Sequence, residues 1–246
     1  MLLAIVTVPA IVNVGIGYVT RGDRIANRIE IITYRDYVGV SSALLLFVAI
    51  VAPDVMCPDR RQRVLPLMFA RPLTGIDYVA AKVGAIGSIV FMFSFLPQVV
   101  LFVGNMLVSD SAGHYFTGHL DIVWKVPVAV LSLAIYYSVV CVAIASLTDR
   151  RIIAGAAVIG LLLVTSIAAG ILIGDFEETG GSAAALINIW TLPLYLRDVV
   201  FLGHIDNQSP LGGVANGGAM AAGLYLVVVA FGAAVLLYRY RWIERR

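Results

Sequence analysis

Six long apolar runs, separated by short polar stretches, dominate the chain: about 2–19, 38–53, 78–108, 123–147, 152–174 and 214–238. None alternates apolar and polar residues over segments of about ten, the pattern that a membrane-spanning barrel strand requires. A hydrocarbon core of roughly 30 Å is crossed by about 20 apolar residues in a helix. In lipid each backbone polar group must be satisfied inside its own helix or a closed barrel. The pattern therefore predicts an all-α polytopic membrane protein, with six transmembrane helices in one domain spanning 1–246.

Composition agrees with that pattern. Hydrophobic residues make up 61% of the chain and charged residues 13%, against about 25% charged in an average soluble domain. A net charge of +2, with no basic tract interleaved with aromatics, excludes a nucleic-acid groove. The first run has no basic stretch before it and no small-residue cleavage site after it, so it reads as a span rather than a signal peptide. Cys57 and Cys141 fall in different elements and read as free thiols.

Lysine and arginine set the expected threading, because cytoplasmic loops carry their excess. Eleven of the seventeen fall in one set of loops and tails: Arg60, Arg61, Arg63, Arg71, Lys82, Arg150, Arg151, Arg239, Arg241, Arg245 and Arg246. The opposite set holds Arg21, Arg24, Arg28, Arg35, Lys125 and Arg197, together with most of the acids. Both termini and the segment 54–77 are expected in the cytoplasm of a cell-membrane protein. The loop 20–37, with four arginines, runs against that count. Arg21, Arg24 and Arg28 stand at helical spacing beside Ile25, Ile29 and Ile32, the pattern of a helix lying on the membrane surface.

Ion-coupled transporters place ionisable residues well inside their spans, whereas Lys82, Lys125 and Asp54 stand near span ends. The energy source is expected on another chain. No G-x-x-x-x-G-K-[ST] loop occurs, and Lys82 and Lys125 are the only lysines, so this chain is not expected to bind ATP in that manner. His114, His119 and His204 have no metal-ligand spacing, and no G-x-S-x-G serine suggests an intramembrane hydrolase. No catalytic, cofactor or metal residue is expected. Pro97 beside Gln98 predicts a kink in the third span, either a gate hinge or a packing adjustment. Gly170 with Gly174, and Gly213 with Gly217, have helix-packing spacing.

The unusual stretch is CPDRRQRVLPLMFARPLTGIDYVAAK, Cys57 to Lys82. Asp54, Cys57, Pro58 and Asp59 are expected to end the second span and begin a loop. Proline loses a helical bond and clashes one turn back, so Pro66 suits a first helical turn and Pro72 ends the stub. Thr74 then restarts the chain as an N-cap, with Asp77 in the capping-box position. The stub carries Val64, Leu65, Leu67, Met68 and Phe69 between Arg60, Arg61, Arg63 and Arg71. A stiff, apolar-centred, basic-rimmed helix fits a groove on another protein. The other reading is a juxtamembrane helix resting on acidic lipid; the compactness imposed by the prolines favours the protein groove.

These residues resemble the cytoplasmic loop of the type-2 class of ABC exporter permeases. The turn ASLTDRRIIAGAA, which contains Asp149, Arg150 and Arg151, is similar to that family's connection between spans four and five. LINIWTLPLYLRDVVFLG resembles the apolar hairpin placed before the last span, which implies a re-entrant or interfacial segment over 183–203. The resemblance implies a six-helix permease subunit of an exporter, not itself an enzyme. Such a subunit pairs with a second permease subunit and docks through its coupling helix on two separate ATPase subunits, which hold ATP and Mg. A secondary transporter or channel, and a non-transporting membrane scaffold, are the competing classes. Lipids, drugs and peptides are all compatible with an apolar path.

Overall fold

The computed structural model describes residues 2–19, 34–38, 41–61, 74–109, 111–174 and 183–244. Its elements are α1 (Leu2–Val19), α2 (Tyr34–Tyr37), α3 (Ser41–Arg61), α4 (Gly75–Val108), α5 (Ala112–Gly118), α6 (Leu120–Ser146), α7 (Arg151–Gly174), a 3-10 turn (Ala183–Ile187), α8 (Leu192–Leu202) and α9 (Gly217–Glu244). No strand occurs among the described residues. Among the described residues four helices are long and apolar enough to cross a membrane: Gly75–Val108, Leu120–Ser146, Arg151–Gly174 and Gly217–Tyr240. Shorter apolar stretches, Thr7–Ile16 and Phe47–Pro58, lie inside α1 and α3.

The central post is α6. Inside the bundle 72% of its apolar window is buried, against 17% to 33% for the other three long helices. Small side chains make this possible: Ala129, Ala134, Ala143, Ala145, Ser138 and Ser146 all lie on it in buried positions, so α3, α4, α7, α8 and α9 all pack against it. At Gly232 of α9 a Cβ would stand 2.9 Å from a Val139 methyl of α6, so only glycine admits this approach. Gly170 and Gly174, whose spacing suggested packing, face open space.

The long helices alternate in direction. Val14 of α1 lies against Gly104, near the far end of α4. At the other end the Cys57 thiol donates to the Thr148 carbonyl at 3.7 Å, Arg151 pairs with Asp54 at 3.1 Å, and the Tyr78 and Tyr240 rings lie 5.0 Å apart. This end gathers Asp54, Lys82, the turn 147–150 and the end of α9, and is called the basic end. The opposite, acidic end gathers Asp36, Asp121, Asp198 and Asp206.

Sequence reasoning ended the second span at Pro53 and began a loop at Asp54. That is corrected: α3 carries both Pro53 and Pro58 and continues to Arg61. Each proline removes one bond to the carbonyl four residues back, and neighbouring helices pack closely around both positions. Gly155 of α7 fits closely against the Ala49 carbonyl, the one that Pro53 leaves without its helical donor. Lys82 of α4 donates to the Val55 carbonyl at 3.0 Å, beside the position that Pro58 disturbs. Met56 and Cys57 are thereby buried in the core rather than exposed in a loop.

The segment between α7 and α9 enters the bundle. Tyr136 and Tyr137 stand 16 and 17 residues past Leu120, about 24 to 26 Å along α6. Their hydroxyls donate to the Ile189 and Trp190 carbonyls, each at 2.9 Å. The turn at 188–191 therefore sits near mid-helix, and α8 climbs back until the Phe201 carbonyl meets the Lys125 ammonium at 3.2 Å. Gly203, at φ 78°, ends α8 in the left-handed conformation that glycine adopts most readily. Non-helical backbone at such depth is tolerated only when protein satisfies it. Asn188 adds to this, accepting through Oδ1 from the Trp190 backbone N–H at 3.1 Å and from Ser166 at 3.0 Å.

At the acidic end Arg35, one of the four arginines that ran against the charge count, is held by acids. Its guanidinium stands 2.7 Å from Asp206, 3.3 Å from Asp36 and 3.9 Å from the buried Asp198. Arg197 bonds Asp198 at 2.8 Å and donates to the Val38 carbonyl at 2.8 Å, closing α8 onto the end of α2. Arg21, Arg24 and Arg28 lie outside the described residues.

Two measurements probe this frame. Tyr137→Phe strips the donor from the Trp190 carbonyl, and an unsatisfied buried group costs about 1–3 kcal/mol; thermal unfolding in detergent should show the loss, and wild-type stability would mean that the turn holds itself. The second concerns Asp206, whose carboxyl the Gln208 backbone N–H and the Arg35 guanidinium hold below the usual carboxylate range. A lowered folded pKa contributes stability above the ordinary value of about 3.9, and that contribution is lost as pH falls through the lowered pKa. Asp206→Asn keeps an acceptor for Gln208 and discards the charge facing Arg35. The variant should be less stable than wild type at neutral pH, with the gap closing below about pH 4.

Candidate functional site

The start of α4 is built by local chemistry. Thr74 is its N-cap: the Thr74 hydroxyl oxygen accepts from the Asp77 backbone N–H at 3.3 Å, while Asp77 Oδ2 accepts from the Thr74 backbone N–H at 3.1 Å and from the Thr74 hydroxyl at 2.8 Å. This reciprocal box satisfies donors that a helix start otherwise leaves open. One turn later Tyr78 packs on Tyr240, and the Lys82 ammonium lies 5.6 Å from the Tyr78 ring centre while bonding Val55. The starts and ends of α3, α4 and α9 are thus tied into one surface at the basic end.

Beside them the chain turns from α6 into α7. The Leu147 N–H bonds the Ile144 carbonyl, the Arg150 N–H bonds the Thr148 hydroxyl at 3.3 Å, and the Arg150 carbonyl accepts from Ala154 inside α7. Asp149, Arg150 and Arg151 are exposed on this turn. An open recess of about 1030 Å³ lies between the turn and the end of α3, lined by Cys57, Pro58, Asp149, Arg150, Arg151, Ile152 and Ile153. Arg151 and Asp54 brace its edge, but with side chains 70% and 47% exposed their pairing contributes at most about 1 kcal/mol. The recess is better described as shaped by helix packing than by charge.

Of the residues singled out for docking, Arg60 and Arg61 are the last two of α3. Arg63, Leu65, Leu67, Met68, Phe69 and Arg71 lie outside the described residues, as does the expected stub at 66–70. The described chain leaves at Arg61 and returns at Thr74, so both flanks of that segment stand at the basic end with the turn 149–151. The structure therefore gathers Asp149, Arg150, Arg151 and the two flanks in one place. Pro97 and Gln98 belong elsewhere, about 22 to 24 Å further along α4 than Lys82. The helix runs unbroken through Pro97, and the Gln98 amide donates to the Tyr34 carbonyl at 3.4 Å.

The residues sequence reasoning missed are Tyr136 and Tyr137, which lie 0% and 2% exposed at the centre of the bundle. Tyr137 stacks on Trp190 at 4.6 Å, Tyr136 stacks on Tyr225 at 5.2 Å, and the Tyr225 hydroxyl donates to the Ser132 carbonyl at 2.9 Å. A signal was present: tyrosine in membrane proteins favours the interfaces, and two adjacent tyrosines in mid-span need acceptors that a lipid-facing position does not offer.

His119 is engaged within its own helix turn, stacking on Tyr115 at 4.1 Å with Nδ1 2.9 Å from the Tyr115 carbonyl. Among the described residues no three His, Cys, Asp or Glu side chains converge in a way that could hold a metal ion. Compared with protein-family models, curated proteins and solved structures, the chain matches none.

Proposed function

We propose that this chain is the membrane-spanning subunit of an ATP-driven transporter, the permease of an exporter of the type-2 ABC class, and that it docks on a separate ATPase subunit through its basic end. The observation that carries the reading is the arrangement of that end. Two helices, α3 and α4, present the flanks of the proline-rich segment 62–73 beside an open recess and the exposed turn 149–151. The resemblance of the segment's sequence to a coupling loop, and the absence of a phosphate-binding loop from the chain, point the same way. In this reading α1 and α3 cross the membrane with the four longer helices to give six spans, the basic end faces the cytoplasm, and two copies or two related chains flank the path. Docked ATPases then bias the bundle between two exposures of that path.

Orientation is tested with introduced cysteines. Cys57 and Cys141 are both buried, so the native chain should give little background with a membrane-impermeant thiol reagent. In sealed cells Ser111→Cys should react, whereas Arg150→Cys should react only after permeabilisation; the reverse pattern would put the basic end outside and remove the docking reading with it.

Docking itself is tested at Met68. Burying an apolar side chain of this size contributes about 1.5–3 kcal/mol, and a carboxylate in that contact adds a desolvation cost. Met68→Asp should sharply reduce ATPase pull-down and transport while leaving membrane insertion intact. An Arg60, Arg61 and Arg63 triple alanine should act more mildly and in a salt-dependent way, because exposed charges are screened. If the segment rests on acidic lipid instead, the order reverses and the triple alanine is the more damaging.

A further inference from the structure

Isolated helices shorter than about 12–15 residues are marginal in water, so a helix of four residues has to be held from outside. In α2 (Tyr34–Tyr37) the Val38 N–H closes one turn on the Tyr34 carbonyl at 3.2 Å. Its side chains tie it to the rest of the bundle. The Tyr34 hydroxyl accepts from the Asn105 amide of α4 at 2.9 Å and shares a bond with the Tyr115 hydroxyl of α5 at 2.8 Å. Arg35 reaches Asp198 of α8 and Asp206 of the loop that follows it. Tyr37 packs with Ala10 of α1 and Leu101 of α4 in a small buried cluster, with Val14 and Tyr34 against it. That cluster is separate from the main core, which contains Cys57, Tyr136, Tyr137 and Cys141. The next residue, Val38, belongs to the main core, and its carbonyl is bound by Arg197.

The side that receives α2 keeps most of its partners without it. A buried charge left alone is costly, yet the buried Asp198 is held by Arg197 at 2.8 Å whether or not Arg35 is present. Asp206 likewise keeps the Gln208 backbone N–H at 3.0 Å. Asn105 and Tyr115 are only half-buried, so water replaces Tyr34 there. A segment with few buried apolar contacts and many half-exposed polar ones opens at lower free energy than the core it rests on. We propose that α2 is a releasable latch on the acidic end. It pivots at Val38, and when it lifts it uncovers Leu101 and the cavity of about 160 Å³ between α4 and α6 that Tyr34 helps to wall. The buried Gln98 amide then gives up its long 3.4 Å bond to the Tyr34 carbonyl and gains water through the opened cavity. The main core stays closed throughout. The latch does not depend on the transport reading, because each tie lies within this chain.

The full chain carrying Leu101→Cys, purified in detergent, is pulsed with a charged thiol reagent that enters only from water, and modification is mapped by peptide mass spectrometry. The buried native thiols, Cys57 and Cys141, report opening of the main core in the same sample. The thiol introduced at 101 should react faster than either. Adding Arg35→Gln should speed it about tenfold, the size expected for bonds to a charged group, and Tyr34→Phe about fivefold, while the rates at Cys57 and Cys141 stay the same. Raising ionic strength from about 0.01 M to about 1 M should speed the reaction at 101 with Arg35 present and have little effect once Arg35→Gln is made, because the ties of Arg35 are partly exposed and therefore screened. Hydrogen exchange on the chain without substitutions gives a second measure: amides in 34–38 should exchange faster than those in 133–142. Three results would each overturn the latch: a rate at 101 that Arg35→Gln changes by less than twofold, native thiols that accelerate in step with it, or exchange in 34–38 as slow as in 133–142.

Discussion

The constraint on which the rest of this bundle depends is the backbone polarity of one turn. Residues 188–191 cannot be helical if the chain is to enter the bundle and climb back out, and a turn near mid-helix has no bulk water to satisfy it. Tyr136 and Tyr137 provide the donors, and the aromatic bodies that carry those hydroxyls fill the surrounding space. Because both come from the middle of α6, that helix has to be central, and its small residues are what let the other helices approach it. The tie also fixes α8, and through Arg197 and Asp198 it fixes the acidic end. A polar demand deep in the molecule thus organises charges more than a helical turn away.

The two ends differ in how they use charge. At the acidic end, cations are consumed internally: Arg35 and Arg197 converge on Asp198, and Lys125 serves both Asp121 and the Phe201 carbonyl. At the basic end, Arg150 and Arg151 lie on the surface, and the pairing of Arg151 with Asp54 is exposed. Charge that is internally matched contributes little to the field seen by a partner, while exposed charge steers association. Arg35, Arg197 and Lys125 at one end, and Lys82 at the other, are structural cations and weigh less in the lysine and arginine count than their number suggests.

The long helices were legible in the sequence because length and apolarity alone define them. The runs at 78–108, 123–147 and 152–174 differ from α4, α6 and α7 by three residues or fewer at either end. Thr74 and Asp77 were legible because a capping box is local chemistry. The end of α3 was not, since whether a helix continues through Pro53 and Pro58 depends on what packs around them, and Gly155 and Lys82 are far away in sequence. Glycine spacing was a partial guide: Gly170 and Gly174 share a helix face yet meet nothing, Gly217 fits closely against the Leu211 carbonyl, and the close approaches between helices occur at Gly104, Gly155 and Gly232. The tyrosine pair could have been suspected from its depth, though not its acceptors, which lie more than fifty residues away.

Several polar groups within the long helices are held by their own backbone. Ser132, Ser138 and Ser146 each turn the hydroxyl back to a carbonyl three residues earlier, and Thr165 does the same on α7. A hydroxyl that satisfies its own helix is held in place and offers little to a passing ion. The lysines of α4 and α6, Lys82 and Lys125, anchor on carbonyls of neighbouring segments at opposite ends of the bundle. Gln98 is the exception, with one oxygen unanswered beside a cavity.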